Sequence, residues 1–242
     1  MANPTAAMLV IGDEILSGRT RDSNTALLAG ALTTHGIDLQ QVRIVGDQRK
    51  AIVPAVRELA QSHDHVFTSG GIGPTHDDIT ADCVAHAFGC AIGIREDARV
   101  LLRAHYAARG LPFSPARQRM ARIPDKAVLI ENPVSVAPGF SLFNVHVMAG
   151  VPKVFEAMVG ALLPRLQGGT PWLSASLRVM RMESDIAGAL NELVRAFPAV
   201  SIGSYPFQQG ESYGVNVVVR GTEQQQIDQI TAQLKARFHG AS

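Results

Sequence analysis

Residues 65–80, HVFTSGGIGPTHDDIT, decide the fold of this chain because they pass from a strand pattern through a glycine-rich loop into a helix pattern. The apolar and β-branched residues 65–68 are typical of a buried strand, and apolar residues recur at helical spacing over 78–88. Between them, three glycines and a proline leave backbone N–H groups free to approach an anion. The following helix directs the positive end of its dipole at the same spot. The segment therefore predicts a site for a phosphate-bearing small molecule.

Strand and helix patterns alternate on both sides of this segment. Pro54 falls inside one of the helix patterns and predicts either a kink or a late start there. The alternation predicts an α/β fold with a parallel sheet covered by helices on both faces. The further elements predicted are strands at 8–11, 42–45, 128–130 and 143–148, a helix between 22 and 36 that Gly36 closes, and helices over 49–62, 95–109 and 153–166.

The pattern restarts after residues 167–171, QGGTP, which are typical of a linker. The remaining chain predicts a small α+β unit. Its predicted elements are strands at 177–182, 200–202 and 215–219 and helices at 184–197 and 223–238.

Acidic residues follow the predicted strands where a parallel sheet binds its ligands, at the carboxyl ends of the strands. Asp13 and Glu14 follow the first strand, Asp47 follows the second, and Asp77 and Asp78 lie in the loop after the third. A carboxylate beside a bound phosphate repels it unless a cation intervenes, and Mg²⁺ often binds one or two carboxylates together with substrate phosphates. We therefore expect Asp47 and Asp78 to hold Mg²⁺ or a similar ion.

Two structural readings compete with this chemistry. Adjacent acidic residues at a helix start can cap free N–H groups, a role that suits Asp77 better than Asp78 because Thr75 already offers a capping hydroxyl. The basic stretch of Arg117, Arg119 and Arg122 either reaches a phosphate or forms a solvated face.

Composition excludes several classes of partner. The chain has 242 residues, 46% of them hydrophobic and 18% charged, which is ordinary for a globular protein. The net charge of +1 provides no global field that would attract nucleic acid or an anionic membrane. The two cysteines argue against a disulfide framework, and neither a signal peptide nor a run of about 18 apolar residues occurs. We expect a cytoplasmic protein without a membrane anchor.

Two long motifs resemble those of the competence/damage-inducible protein A (CinA) family. Residues 12–24, GDEILSGRTRDSN, are similar to its opening motif, and residues 70–80, GGIGPTHDDIT, match its second motif almost residue for residue. Shorter similarities follow at 132–133, 137–140 and 150–152, and residues 202–206 are similar to a strand motif in the small domain of CinA and of FAD synthetases. The family belongs to the MoaB/MogA molybdopterin-binding superfamily, so the resemblance spans nearly the whole chain.

The resemblance implies a three-layer MoaB/MogA-like domain over 1–168 and a small CinA-type α+β domain over 174–242. It implies metal-dependent hydrolysis of a nucleotide diphosphate of the ADP-ribose or FAD type, and a homo-oligomer, either dimer or trimer. The catalytic candidates are Asp47, Asp77 and Asp78, of which Asp47 and Asp78 are also the metal candidates. The ligand-binding candidates are Gly12, Asp13, Glu14, Ser69, Gly70, Gly71, Gly73, Pro74, Thr75, Thr80, Pro138, Gly139 and Pro152.

Departures from the family pattern leave alternatives open. His76-Asp77 stands where molybdopterin enzymes have a cation suited to a pterin phosphate, which favours the nucleotide-hydrolysing branch. Ser135 stands where CinA relatives commonly have glycine and Ala149 where they commonly have proline, so this part of the site departs from the family. The loss of the family glycine at Ser135 favours a non-catalytic protein that binds molybdopterin or a nucleotide. A third alternative is a structural partner for a separately encoded deamidase.

Overall fold

The computed structural model describes residues 2–210 and 212–238, and the chain divides after Gly169 into two compact units. The first unit contains a six-stranded sheet and a separate antiparallel pair of short strands. The sheet strands are β1 (Thr5–Ile11), β2 (Asp38–Val45), β3 (His65–Ser69), β6 (Val128–Ile130), β7 (Gly139–Leu142) and β8 (Val145–Met148), and the pair is β4 (Ile92–Ile94) with β5 (Arg122–Pro124).

The order of the sheet is β2-β1-β3-β8-β7-β6. The first four strands are parallel, as predicted, but β7 and β6 run antiparallel to their neighbours. The fully parallel prediction was wrong at this edge because a two-residue turn at Phe143 and Asn144 sends the chain straight back, and Leu142 pairs with Val145. Phe143 adopts the left-handed conformation, with φ 53°, that this turn requires.

Helices cover both faces of the sheet, which confirms the layered prediction. Alternate residues of β1 separate into two cores, with Leu9 in one and Met8 in the other, because successive side chains of a strand point to opposite faces. The helices of this unit are α1 (Asp13–Leu16), α2 (Asn24–His35), α3 (Arg49–Ser62), α4 (Thr80–Ala87), α5 (Glu96–Ala108), α6 (Pro115–Arg119) and α7 (Pro152–Leu162). Buried residues of α3, α4 and α5 pack in the first core and those of α2 and α7 in the second.

The helices differ from the predicted ones at the glycine loop, at Pro54 and at the end of this unit. The helix after the glycine loop begins at Thr80 rather than at Asp78, because Asp78 is engaged within the loop. Pro54 does not delay α3, which begins at Arg49 and continues through the proline while its apolar face packs in the core. The last helix of this unit ends at Leu162, and a 3₁₀ turn over Leu163–Arg165 follows it.

The second unit is a three-stranded antiparallel sheet of order β10-β11-β9 with two helices, which confirms the predicted α+β pattern. Its elements are β9 (Leu173–Val179), α8 (Glu183–Ala196), β10 (Ser201–Gln209), β11 (Ser212–Gly221) and α9 (Gln224–Phe238). Buried Val217, Ile186 and Ile230 hold the sheet against both helices. Within the described residues of the chain, none of the helices has the length and apolar character that crossing a bilayer demands.

Candidate functional site

The carboxyl ends of the parallel strands open into a cavity of about 620 Å³ in the first unit. One wall is the glycine loop, and Glu14 and Asp47 reach the cavity from the ends of β1 and β2. A second part of the wall comes from the segment after β6 and the segment after β8, both of which lie outside the two long motifs. The lining residues are Ile11, Glu14, Thr20, Asp47, Gly70, Gly71, Ile72, Gly73, Asp77, Asp78, Met120, Asn132, Ser135, Ala137, Ala149, Gly150, Val151, Pro152 and Val154.

Gly70 and Gly71 line this cavity in conformations that only glycine adopts easily. Their φ angles are 108° and 69°. A Cβ on Gly70 would lie 2.2 Å from the carbonyl oxygen of Ile11, and one on Gly71 would lie 2.1 Å from the hydroxyl of Thr80. The loop can therefore pass directly over the ends of the neighbouring strand and helix.

Thr80 anchors the loop from behind. Its hydroxyl donates to the carbonyl of Gly70 and its N–H donates to that of Gly71, each at 3.0 Å. The side chain is fully buried and does not line the cavity. Thr80 thus shapes the loop, and the first N–H of α4 is already bonded to the loop itself.

Asp78 is held inside the loop rather than at a helix cap. Its Oδ2 accepts the N–H of Thr75 at 2.9 Å and also the Thr75 hydroxyl. Gly73 makes room for this carboxylate, since a Cβ there would lie 2.6 Å from Oδ2. No side chain caps the start of α4, so the predicted capping hydroxyl of Thr75 serves Asp78 instead.

Asp47 and Asp13 are joined by reciprocal hydrogen bonds between the ends of β1 and β2. The N–H of Asp13 donates to Asp47 Oδ2 at 2.8 Å, and the N–H of Asp47 donates to Asp13 Oδ1 at 3.3 Å. Burial raises the pKa of the Asp47 carboxyl above its ordinary value; the Asp13 N–H opposes this, and the negative charges of Asp13, Glu14 and Asp77 add to it.

The cavity is strongly acidic. Glu14, Asp47, Asp77 and Asp78 line it, and among the described residues no Lys or Arg side chain does so. These four carboxylates repel an anionic ligand unless a cation lies between them. Across residues 2–210 and 212–238, however, no three or more His, Cys, Asp or Glu residues are grouped closely enough to hold a metal ion by themselves.

Some of the site residues predicted from the sequence do not line the cavity. Ser69 is buried beneath it, Pro138 lines an adjacent narrow cleft, and Gly139 packs so closely that a Cβ would lie 2.4 Å from the carbonyl oxygen of Val147. The lining therefore includes Glu14, Gly70, Gly71, Gly73, Asp47, Asp77, Asp78 and Pro152 of the candidates, and leaves out Gly12, Asp13, Ser69, Pro74, Thr75, Thr80, Pro138 and Gly139.

Asn132 and Asn24 are the polar residues that sequence reasoning missed. Asn132 shapes the wall segment after β6, because its amide donates to Ser135 Oγ at 2.6 Å and to the Ala137 carbonyl at 2.8 Å. Asn24 is buried, and its amide donates to Ser69 Oγ and to the Gly150 carbonyl, each at 2.8 Å. Both residues lie in motifs that resemble those of the family, and this resemblance was the sequence signal that could have identified them. Only the tertiary structure shows which groups their amides bind.

We expect Asn24→Asp to lower the free energy of unfolding by about 2 kcal/mol, because a buried carboxylate would face the Gly150 carbonyl and leave that carbonyl without its donor. Urea unfolding monitored by circular dichroism measures this. Asn3→Asp is not a suitable comparison because Asn3 also makes contacts, whereas exposed Asn191→Asp on α8 changes the same group without such a cost. Equal stabilities of the two variants would contradict the role of Asn24.

Each of the two units matches a different protein family. Residues 7–168 match the family described as "Probable molybdopterin binding domain", and residues 171–242 match the one described as "FAD synthase, middle domain". A protein of Pyrobaculum calidifontis is 36% identical over 212 residues, which cover 84% of this chain and 81% of that protein.

Two relatives carry the description "CinA-like protein". The one from Myxococcus xanthus is 39% identical over 66% of this chain and 39% of its own length, and the one from Geobacter metallireducens is 35% identical over 84% of this chain and 52% of its own length. This chain thus spans about half or less of these two relatives. A crystal structure of the protein CinA, of unknown function, from Thermoplasma acidophilum aligns with a TM-score of 0.62 at 35% identity, and covers 68% of this chain and 99% of its own.

Proposed function

This chain belongs to the molybdopterin-binding domain family, among its CinA-like members in the MoaB/MogA superfamily, and on that premise we propose that it hydrolyses a nucleotide diphosphate such as ADP-ribose or FAD with a divalent metal ion. The observation that carries the proposal is the meeting of Asp47, Asp78 and the glycine loop at one cavity. The match of residues 171–242 to a domain of FAD synthase supports a nucleotide as the ligand.

The residues present fit a divalent ion that shares its ligands with a substrate. Two carboxylates together with phosphate oxygens are a usual set for Mg²⁺, so the lack of a complete protein cage in the described chain agrees with this arrangement. Asp47 and Asp78 would hold the ion. When bound, it would offset the charge of the carboxylates and of the diphosphate.

The chain's own groups account for binding and proton transfer. Gly70, Gly71 and Gly73 present backbone to the cavity with no side chain in the way, which lets a diphosphate lie against the loop. In the hydrolysis, the oxygen of a water molecule bonds to one phosphorus, the bond from that phosphorus to the bridging oxygen breaks, and two monophosphates leave. The proton of the water goes to one of the carboxylates that line the cavity and do not hold the ion, Glu14 or Asp77.

The test is incubation of the purified protein with ADP-ribose or FAD and Mg²⁺, Mn²⁺ or Co²⁺, with released AMP measured by chromatography. We expect Asp47→Asn and Asp78→Asn each to lower kcat about 100-fold, since each removes a carboxylate from the reacting centre. Exposed Asp125→Asn, which does not line the cavity, serves as the matched control and keeps full activity. Absence of AMP with every metal, from wild-type protein that is folded, would refute the proposal.

The alternative is a non-catalytic protein that binds molybdopterin or a nucleotide. The observation in its favour is that Ser135, which stands where CinA relatives commonly have glycine, lines the cavity. It predicts a pterin fluorescence signal in the purified protein, or nucleotide binding without turnover in the same assay.

A further inference from the structure

A second cavity of about 660 Å³ lies in the first unit beside the acidic one. The segment after β3 contributes to both cavities: Asp77 and Asp78 line the acidic one, whereas His76 and Ile79 line the second. We name it the basic cavity, after the guanidinium groups of Arg49, Arg119 and Arg122 in its lining.

The three arginines are not equally available. Arg122 is committed to Asp82, since its Nε lies 3.0 Å from both carboxylate oxygens and its Nη2 lies 2.7 Å from Oδ1. The side chain of Arg49, the first residue of α3, is exposed and makes no hydrogen bond or ion pair with the described part of the chain. Arg119 is exposed as well, with a single long contact of 3.5 Å from Nη2 to the carbonyl of Asp78. Two positive charges thus face this cavity uncompensated.

Only part of the basic stretch in the sequence belongs to this cavity. The guanidinium of Arg117 lies 4.3 Å from the centre of the Tyr106 ring and donates to the carbonyl of Pro112. It is engaged in local packing and does not line the basic cavity. Folding separates Arg117 from Arg119 and brings Arg49, which is distant in sequence, to the same cavity as Arg119.

We propose that the basic cavity binds a phosphomonoester of about the size of a nucleoside monophosphate. Arginine guanidinium groups match the geometry of phosphate oxygens, and Arg49 and Arg119 leave this capacity unused. The volume is within the range of small-molecule sites and far exceeds that of a phosphate ion. Ile79, Ile94 and Pro115 offer apolar surface to the organic part of such a ligand. The four carboxylates of the neighbouring cavity repel the same anion, so the ligand prefers the basic one.

The test is calorimetric titration of the full chain with AMP in the presence of EDTA, so that no divalent ion attracts the anion to the acidic cavity. We expect AMP to bind, adenosine to bind at least about tenfold more weakly, and Arg49→Gln/Arg119→Gln to weaken AMP binding by a similar factor. Both arginines are exposed and make few contacts, so the double variant keeps the fold, which circular dichroism checks.

Two double variants distinguish binding in the basic cavity from nonspecific attraction by surface charge and from binding in the acidic cavity. Arg103→Gln/Lys126→Gln removes the same two charges from exposed positions of the same unit outside the basic cavity, and we expect it to bind AMP as the wild type does. Asp47→Asn/Asp78→Asn alters the acidic cavity and also keeps AMP binding. The inference is overturned by failure of the wild type to bind AMP, by unchanged binding in Arg49→Gln/Arg119→Gln, or by loss of binding in either other variant.

Titration with inorganic phosphate distinguishes a phosphomonoester from free phosphate as the ligand of the basic cavity. Weaker binding of phosphate than of AMP, abolished by the same arginine substitutions, supports a monoester with an organic group. Equal affinities would overturn that assignment in favour of free phosphate. Because the titration contains no metal and measures no turnover, its outcome is independent of whether the acidic cavity hydrolyses a diphosphate.

Discussion

Gly70→Ala is expected to lower the free energy of unfolding by about 3 kcal/mol or more and to abolish ligand binding at the glycine loop. The residue combines a φ of 108° with a position where a Cβ would lie 2.2 Å from the backbone carbonyl of Ile11. Backbone, unlike the end of a flexible side chain, cannot move aside cheaply, so β1 and the loop must separate. Urea unfolding monitored by circular dichroism measures the loss of stability.

Gly30→Ala is the matched control for this substitution. Gly30 lies inside α2, and a Cβ there would meet nothing within 4 Å. Alanine is the better helix former, so we expect this variant to gain up to about 1 kcal/mol. A Gly70→Ala protein as stable as the wild type would show that the loop is not held against β1 as the structure has it.

Stability of the first unit is expected to fall as the pH drops from about 6.5 towards 3, by up to about 1.4 kcal/mol for each pH unit, because of one buried histidine. His146 lies within β8 and is 3% exposed. Its Nδ1 lies 2.8 Å from Ser141 Oγ, and its Nε2 lies 3.2 Å from Nδ1 of His65. Burial first, and then the charges of His65 and Arg165, lower the pKa of His146 to about 3.

The direction of this pH dependence follows from the different proton affinities of His146 in the folded and unfolded chains. The unfolded chain binds a proton on this imidazole near pH 6.5, whereas the folded chain does so only near pH 3. Acid therefore favours the unfolded state between about pH 6.5 and 3. Above this range the contribution of His146 to the unfolding free energy is constant. We expect His146→Gln to have a flatter dependence of unfolding free energy on pH, and exposed His86→Gln to follow the wild type. Parallel pH profiles for all three proteins would contradict this origin of acid sensitivity.

The glycine loop was predictable because its chemistry is local. Consecutive residues 70–73 set the backbone path, and the strand pattern before them and the helix pattern after them set its place at a strand end. The same local logic predicted that Asp47 and Asp78 meet at one cavity, since carboxyl ends of parallel strands share an edge. The roles of Thr75 and Thr80 were not predictable in this way, because a hydroxyl near a helix start suits a cap, a loop anchor or a ligand equally well.

The sequence by itself determined the family, the two-unit organisation of strand and helix patterns, and the acidic glycine-loop edge, because these follow from short-range periodicity and contiguous motifs. Only the tertiary structure decided the antiparallel edge made by β7, the burial of Asn24 against Gly150, and the separation of Arg117 from Arg119. The burial of Asn24 depends on contacts between distant segments, the antiparallel edge on a two-residue turn without glycine, and the separation of the two arginines on what each side chain contacts after folding. Long-range packing chooses among such arrangements, and residue order alone leaves them equivalent.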